Sequence, residues 1–93
     1  MLEISPPAYD RLSDMLADRP QNVAARIVVL RGRARIRPGR HRQNDVVIEH
    51  DGRTVLLFDQ QVAQHLNRRT LGTRSTKDGP RLQLQRNAPQ TQS

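Results

Sequence analysis

Cysteine is absent from this 93-residue sequence, and its absence removes several kinds of site at once. Without a thiol the chain has no disulfide, no thiolate nucleophile, no cysteine-ligated zinc finger and no cysteine-bound iron–sulfur cluster. The remaining nitrogen ligands are His41, His50 and His65, which fall in three different predicted segments without a His-x-x-x-His pair. We therefore predict no metal site and no bound cofactor.

Aromatic residues and long apolar runs are also scarce. Tyr9 and Phe58 are the only aromatic residues, which disfavours a carbohydrate platform, a base-stacking groove or a methyl-lysine cage. No apolar run approaches the roughly 20 residues that span a bilayer, and the N-terminal residues lack the pattern of a signal peptide. These features predict a cytoplasmic protein that makes no contact with a membrane.

Large aliphatic residues are few, so the predicted core is thin. Leu, Ile, Val and Phe make up 22 of the 93 residues, or about 24%, just above the level typical of disorder. At this length one domain is the default, and we predict a single domain over residues 1–86 with a disordered tail over residues 87–93. A second copy would add buried area and cover an edge strand, so a homodimer is one hypothesis.

The first half of the chain contains one helix signal and one strand signal. Ser5 followed by two prolines is a helix start, and the apolar spacing of Ala8, Leu12 and Leu16 predicts an amphipathic helix that ends before Pro20. The segment Ala24–Leu30 is apolar and β-branched, which predicts a central strand. After it, residues 33–37 alternate Arg with Ala or Ile, and we expect Pro38 and Gly39 to turn the chain.

The second half predicts two hairpins separated by a short helix. Asp51-Gly52 between two apolar runs is a strong hairpin signal, and Asp59 is a suitable cap for a helix that reaches Leu66. A weaker hairpin covers residues 70–86, with its turn expected at Asp78, Gly79 and Pro80. The predicted fold class is therefore α+β, with mostly antiparallel sheets of six or seven short strands, one N-terminal amphipathic helix and one short helix.

The order of these segments resembles the A-type iron–sulfur carrier family, also called HesB-like. The similar stretches are LEISPPAYDRLSDML, ARIVV, DVVIEHDGRTVLLFD, VAQHLNRRTLGT and RLQLQRNAP. None is specific alone, but their order and spacing extend from Leu2 to Asn87. The resemblance implies a HesB-like fold and a place near iron–sulfur cluster assembly.

The residues that bind the cluster in that family are missing from this chain. The family signature is a Gly-Cys-Ser-Gly turn after the central strand and a Cys-Gly-Cys pair near the C-terminus. Here Gly32 matches the first glycine and Arg33 stands where the first cysteine would be, so a cation replaces an anionic ligand. The resemblance then implies a non-enzymatic relative that carries no cluster and acts through contacts with another protein, including one of iron–sulfur assembly, or through self-association.

Positive charge is concentrated in one segment of the sequence. The net charge is +7, and seven arginines with no acidic residue lie between positions 26 and 42. In an extended strand Arg33, Arg35 and Arg37 would share one face at intervals of about 6.6 Å. The candidate site for a polyanion or a partner is Arg31, Arg33, Arg35, Arg37, Arg40 and Arg42.

Two interpretations of this arginine segment stay open. The arginines could bind a polyanion such as nucleic acid without sequence specificity, since no aromatic rings and no basic helix are available for base readout. Alternatively, they could protect an edge strand and pair with Asp45, Glu49 and Asp51. A second basic set would extend the site only if the last hairpin packs beside this strand: Arg68, Arg69, Arg74, Lys77, Arg81 and Arg86.

No arrangement of residues predicts catalysis. The carboxylates and His50 near the Asp51-Gly52 turn are expected to be solvated, and the serines lack the sequence context of a hydrolase nucleophile. We therefore predict no catalytic residue and no enzymatic activity.

Overall fold

The computed structural model describes residues 2–86, which fold into seven strands and two helices. The predicted tail over residues 87–93 lies outside the described residues. In chain order the elements are β1 (Glu3–Ile4), α1 (Pro6–Leu16), β2 (Val23–Leu30), β3 (Arg33–Arg40), β4 (Val46–His50), β5 (Arg53–Phe58), α2 (Gln60–Leu66), β6 (Arg69–Thr76) and β7 (Gly79–Arg86). The predicted α+β class with short, mostly antiparallel strands is confirmed.

Helix α1 begins where the sequence signal placed it. Ser5 has extended backbone angles and its side chain accepts a hydrogen bond from the backbone N–H of Ala8 at 3.3 Å, which satisfies one amide at the helix start. Ala8, Leu12 and Leu16 form its buried face. The helix packs this face against strands of both sheets, so it joins them around a shared core.

The larger sheet has four strands in the order β3-β2-β5-β4. Strand β2 is antiparallel to β3 and parallel to β5, and β4 is antiparallel to β5. Residues 55–58 of β5 are all buried, which is why that run is continuously apolar rather than alternating. Strand β3 forms one edge of this sheet, and its position sets the geometry of the candidate site.

The smaller sheet has three strands in the order β1-β6-β7. Strand β1 pairs in parallel with β6, with Ile4 opposite Leu71, and β7 is antiparallel to β6. Buried residues from both sheets and both helices form one core: Leu2, Ala8, Leu12, Leu16, Ala25, Ile27, Val55, Leu56, Phe58, Val62, Leu66 and Leu71. No helix among residues 2–86 is long and apolar enough to cross a membrane.

Two of the hairpins close with two-residue turns of the same kind. Arg31 and Gly32 have φ angles of 51° and 77°, and Asp51 and Gly52 have φ angles of 53° and 78°. Positive φ at both central positions is the type I′ turn, whose twist matches that of paired antiparallel strands. The predicted Asp-Gly hairpin is confirmed, and the β2–β3 hairpin has the same turn with arginine in a position that favours glycine or asparagine.

The structure differs from the sequence expectation at Pro38 and Gly39, which continue β3 instead of turning the chain. Pro38 lies opposite Ala25 on an edge strand, where a missing N–H is tolerated. A side chain at Gly39 would lie 3.2 Å from Cβ of Arg26, so glycine leaves room for that arginine. The extended strand makes the surface carried by β3 longer than expected.

The last hairpin also turns earlier than expected. Its turn falls at Lys77 and Asp78, while Gly79 and Pro80 already belong to β7. The Thr76 hydroxyl donates to the carbonyl of Gly79 at 2.6 Å and accepts from the backbone N–H of Asp78 at 3.2 Å. These two hydrogen bonds close a turn that begins one residue before the predicted position.

Candidate functional site

Four arginines of the candidate site line one surface concavity together with one leucine. Its volume is about 730 Å³, and we call it the arginine surface: Leu30, Arg31, Arg33, Arg35 and Arg37. All five residues are exposed. The surface begins at the β2–β3 turn and follows the outer edge of the larger sheet, so the guanidinium groups are presented as a row.

The strand register explains why these arginines face the same way. Arg33, Arg35 and Arg37 lie opposite Leu30, Val28 and Arg26 of β2, whereas the residues between them lie opposite core positions. Ile36 is opposite Ile27, and Ala34 is opposite Val29. Because side chains alternate across a strand, the arginines share the face that points away from the core. The strict Arg-x-Arg alternation in the sequence indicated this arrangement.

Within residues 2–86, none of the six candidate arginines forms an ion pair. The ion pairs in this part of the chain are Arg26 with Asp45 and His50 with Asp51. The alternative interpretation is therefore wrong in pairing these arginines with Asp45, Glu49 and Asp51 within residues 2–86, although β3 is an edge strand, as that interpretation requires. Charge on the arginine surface is not neutralised by the described part of the chain.

Arg26 is the buried cation that sequence reasoning missed. Its Nη1 donates to Oδ1 of Asp45 at 3.1 Å, and its Nη2 donates to the carbonyl of Arg40 at 3.0 Å. The backbone N–H of Arg42 also donates to Asp45, at 2.6 Å. The hydrogen bond from Arg26 holds the pKa of Asp45 below its ordinary value, although burial acts to raise it. The signal was visible as the one charged residue within the apolar run Ala24–Leu30.

Arg40 and Arg42 are not part of the arginine surface. Arg40 lines a separate concavity with His41 and Leu57, and its carbonyl is bound by Arg26. Arg42 contributes its backbone to the turn that holds Asp45. The structure therefore brings together Arg31, Arg33, Arg35 and Arg37 and leaves the other two candidate residues apart.

The second basic set lies on or beside the strands of the other sheet, and none of those strands pairs with β3. Arg69 is opposite Arg86, and Arg74 is opposite Arg81, across the β6–β7 hairpin. These like-charged pairs destabilise the β6–β7 hairpin to some extent. Because the two basic regions lie in different sheets, strand pairing does not join them.

A mainly apolar cleft opens on the other side of β3, between the two sheets. Its volume is about 450 Å³, and Ala34 and Ile36 of β3 line it together with Leu82 and Leu84 of β7. Met15, Arg11 and Arg81 also line it. Strand β3 thus has a row of guanidinium groups on one face and an apolar opening on the other.

The available side chains do not fit an iron–sulfur cluster. Such clusters are held by cysteine thiolates, sometimes with histidine, and this sequence contains no cysteine. His50 stacks on Tyr9 with ring centroids 4.3 Å apart and lies 3.3 Å from Asp51. Among residues 2–86 no group of three or more His, Cys, Asp or Glu side chains is close enough to hold a metal ion.

Comparison with solved structures shows the fold. The chain is similar to the crystal structure of Escherichia coli SufA, a protein involved in biosynthesis of iron–sulfur clusters, with a TM-score of 0.77 and 18% identity over 91% of this chain and 84% of SufA. It is also similar to the crystal structure of IscA with the [2Fe-2S] cluster, with a TM-score of 0.61 and 18% identity over 98% of this chain and 90% of IscA. The resemblance to A-type carriers is confirmed at the level of the fold.

The sequence comparisons are negative. No family model matches the chain, and no curated protein matches it. At 18% identity the likeness to SufA and IscA describes the arrangement of helices and strands. The chain combines that fold with a sequence that has no cysteine.

Proposed function

We propose that this chain is a non-enzymatic protein with the A-type carrier fold that binds an acidic protein partner through the arginine surface. The observation that supports this most directly is the row formed by Arg33, Arg35 and Arg37, exposed and without an ion pair among residues 2–86. A set of like charges that the described chain does not neutralise favours binding of a surface of opposite charge.

On this proposal the protein itself holds no iron–sulfur cluster. The thiolates that would bind iron are absent, and Arg33 stands in the position that the family resemblance assigns to the first cysteine. A guanidinium repels a metal cation and attracts carboxylates, with which it forms paired hydrogen bonds. The fold likeness to SufA supports a partner from iron–sulfur assembly, and a cytoplasmic location is part of the same proposal.

Non-specific binding of nucleic acid is the second candidate, because a row of arginines also attracts phosphates. The positions of the two aromatic residues do not favour binding of single-stranded nucleic acid, in which bases stack on exposed rings. Tyr9 is stacked on His50 and Phe58 is buried, so neither ring is available for stacking on a base. Phosphate contacts alone would remain, and those weaken steeply with salt.

Affinity capture from an extract of the native cell, treated with nuclease, tests the proposal. The variant Arg33→Gln/Arg35→Gln/Arg37→Gln removes the charge row, and Arg74→Gln/Lys77→Gln/Arg86→Gln is a matched control that removes three exposed cations from the β6–β7 hairpin. We expect the wild type and the control to retain a partner protein that the triple variant does not retain. After purification, this partner should bind directly to the wild-type chain.

Two results would contradict the proposal. If proteins are retained from an untreated extract but not from the nuclease-treated one, nucleic acid is the ligand, and the salt dependence of its binding should fall when the three arginines are replaced. Equal retention by the wild type and the triple variant would show that the arginine surface is not the binding site.

A further inference from the structure

Strand β3 is an open edge of the larger sheet. It pairs with β2 on one side, and no other strand among residues 2–86 pairs with its other side. Ala34 and Arg35 in the middle of this edge are exposed. An edge of this kind presents backbone N–H and C=O groups to which another strand can bind.

The hairpin geometry determines which backbone groups of β3 point outward. A two-residue turn places the flanking residues Leu30 and Arg33 in a hydrogen-bonded pair, and such pairs alternate along antiparallel strands. The backbone groups of Arg35 and Arg37 therefore bond to β2. Those of Ala34 and Ile36 point away from the sheet.

Pro38 limits the usable length of the edge. It belongs to the outward-pointing set with Ala34 and Ile36, because it lies two residues beyond Ile36 in the same strand. Since proline has no N–H, an incoming strand loses a donor there. The open backbone positions are thus Ala34 and Ile36, which lie within the row formed by Arg33, Arg35 and Arg37.

The two faces of the edge have opposite chemistry. Beside Arg35 an added strand would meet the arginine surface, whereas beside Ala34 and Ile36 it would meet the apolar cleft that Leu82 and Leu84 also line. Side chains of an added strand alternate between the same two faces. A segment that alternates acidic and apolar residues would therefore match both faces at once.

We propose that β3 binds an extended segment of another protein, in which acidic and apolar residues alternate, as an additional strand of the larger sheet. The inference rests on the proposed function and specifies how the acidic partner is recognised. A second copy of this chain is a less complementary occupant of the edge, because its own β3 carries no acidic residue. Antiparallel pairing of two β3 strands that keeps their apolar faces together would place arginine opposite arginine, which is destabilising.

A peptide titration followed by NMR tests this mode of binding. The probe is a blocked seven-residue peptide that alternates glutamate and valine, and the control peptide has the same composition with its glutamates and valines in separate blocks. We expect the alternating peptide to slow amide hydrogen exchange at Ala34 and Ile36 by about tenfold or more at saturation. Exchange at Arg35, whose N–H already bonds to β2, should change little.

Ala34→Pro removes an outward N–H without removing a hydrogen bond to β2, and Pro38 shows that the strand accepts proline at an equivalent position. We expect this variant to weaken binding of the alternating peptide by about tenfold, and we expect Ala34→Val, which also enlarges the side chain but keeps the N–H, to bind the peptide more tightly than Ala34→Pro does. If Ala34→Pro fails to fold, the exchange pattern at Ala34 and Ile36 in the wild type decides the question.

Different negative results of these binding experiments would contradict strand addition alone or the proposed function as well. Equal binding of both peptides with no change in exchange at Ala34 and Ile36, but loss of binding in the triple glutamine variant, would overturn strand addition and leave an acidic partner supported. Binding of a single-stranded DNA oligonucleotide without binding of either peptide would overturn both proposals.

Discussion

Arg26 and Asp45, 19 positions apart, form a buried ion pair that joins the middle of β2 to the residue before β4. Their side chains are 7% and 1% exposed. Each nitrogen of the Arg26 fork donates to one carboxylate oxygen, and Nη2 also donates to the carbonyl of Arg40, the last residue of β3. The pair therefore fixes the position of the β3–β4 connection at the end of the arginine-rich strand.

Removing one partner of this pair should destabilise the fold. Asp45→Asn leaves the buried guanidinium of Arg26 without a counter-charge, and we expect a loss of about 3 kcal/mol in the free energy of unfolding. Arg26→Met likewise leaves the buried carboxylate of Asp45 without a counter-charge, and we expect a similar loss. Because the two residues act as a unit, the double variant should lose less than the sum of the single losses. Urea denaturation followed by circular dichroism measures all three values.

Arg35→Met is the matched control for this cycle, since it removes an exposed arginine without an ion pair among residues 2–86. We expect it to change stability by no more than about 0.5 kcal/mol. Additive losses for Arg26→Met and Asp45→Asn, within about 0.5 kcal/mol, would show that the pair contributes no coupling energy.

The same pair should make part of the stability depend on acid pH. The pKa of Asp45 is lower in the folded chain than its ordinary value of 3.8, chiefly because of the hydrogen bond from Arg26. The unfolded chain therefore binds the proton first as the pH falls. The stabilisation is present above pH 3.8 and is lost as the pH falls through that value toward the folded pKa.

Urea denaturation of the wild type and Asp45→Asn at a series of pH values checks this dependence. We expect their stability difference to be constant from about pH 7 to about pH 5 and to shrink below about pH 4. Other carboxylates titrate in both proteins and cancel in the comparison. A difference that stays constant to about pH 2.5 would contradict the lowered pKa of Asp45.

Features encoded by a few neighbouring residues were predictable from the sequence. Ser5 caps α1, Asp59 caps α2 through a 2.8 Å hydrogen bond from the N–H of Val62, and Asp51-Gly52 closes its hairpin. The shared face of the β3 arginines followed from simple alternation. Each of these depends on local geometry that does not require knowledge of the tertiary fold.

Features set by distant residues were not predictable in the same way. Pro38 and Gly39 are typical turn residues, but in this fold they continue β3, and a Cβ at Gly39 would crowd Arg26 of the neighbouring strand at 3.2 Å. Arg40 lies three positions after Arg37, so alternation places it on the other face once Pro38 and Gly39 continue the strand, and Arg42 lies beyond the end of β3. The Arg26–Asp45 pair joins residues 19 positions apart, and no spacing rule identifies it.

The β2–β3 turn should become more stable when Arg31 is replaced. Arg31 has a φ of 51°, a region in which asparagine is accommodated more readily than arginine. We expect Arg31→Asn to raise the free energy of unfolding by about 0.5 kcal/mol, measured by urea denaturation. Gly32→Ala, at a φ of 77°, is the opposing control and should lower it by about 1 kcal/mol. A loss of stability in Arg31→Asn would show that the arginine side chain stabilises the turn.

Anaerobic incubation with ferrous iron and sulfide should not load a cluster onto this protein. Cluster iron needs thiolate ligands, and the chain offers arginine at the turn where the family resemblance places a cysteine. IscA, whose crystal structure contains a [2Fe-2S] cluster, is the positive control in the same reaction. Visible absorbance and bound iron per chain, measured after desalting, should stay at background for this protein and rise for IscA. A stoichiometric cluster on this chain would show that side chains other than thiolates can hold cluster iron here, and it would contradict the proposal that the protein carries no cluster.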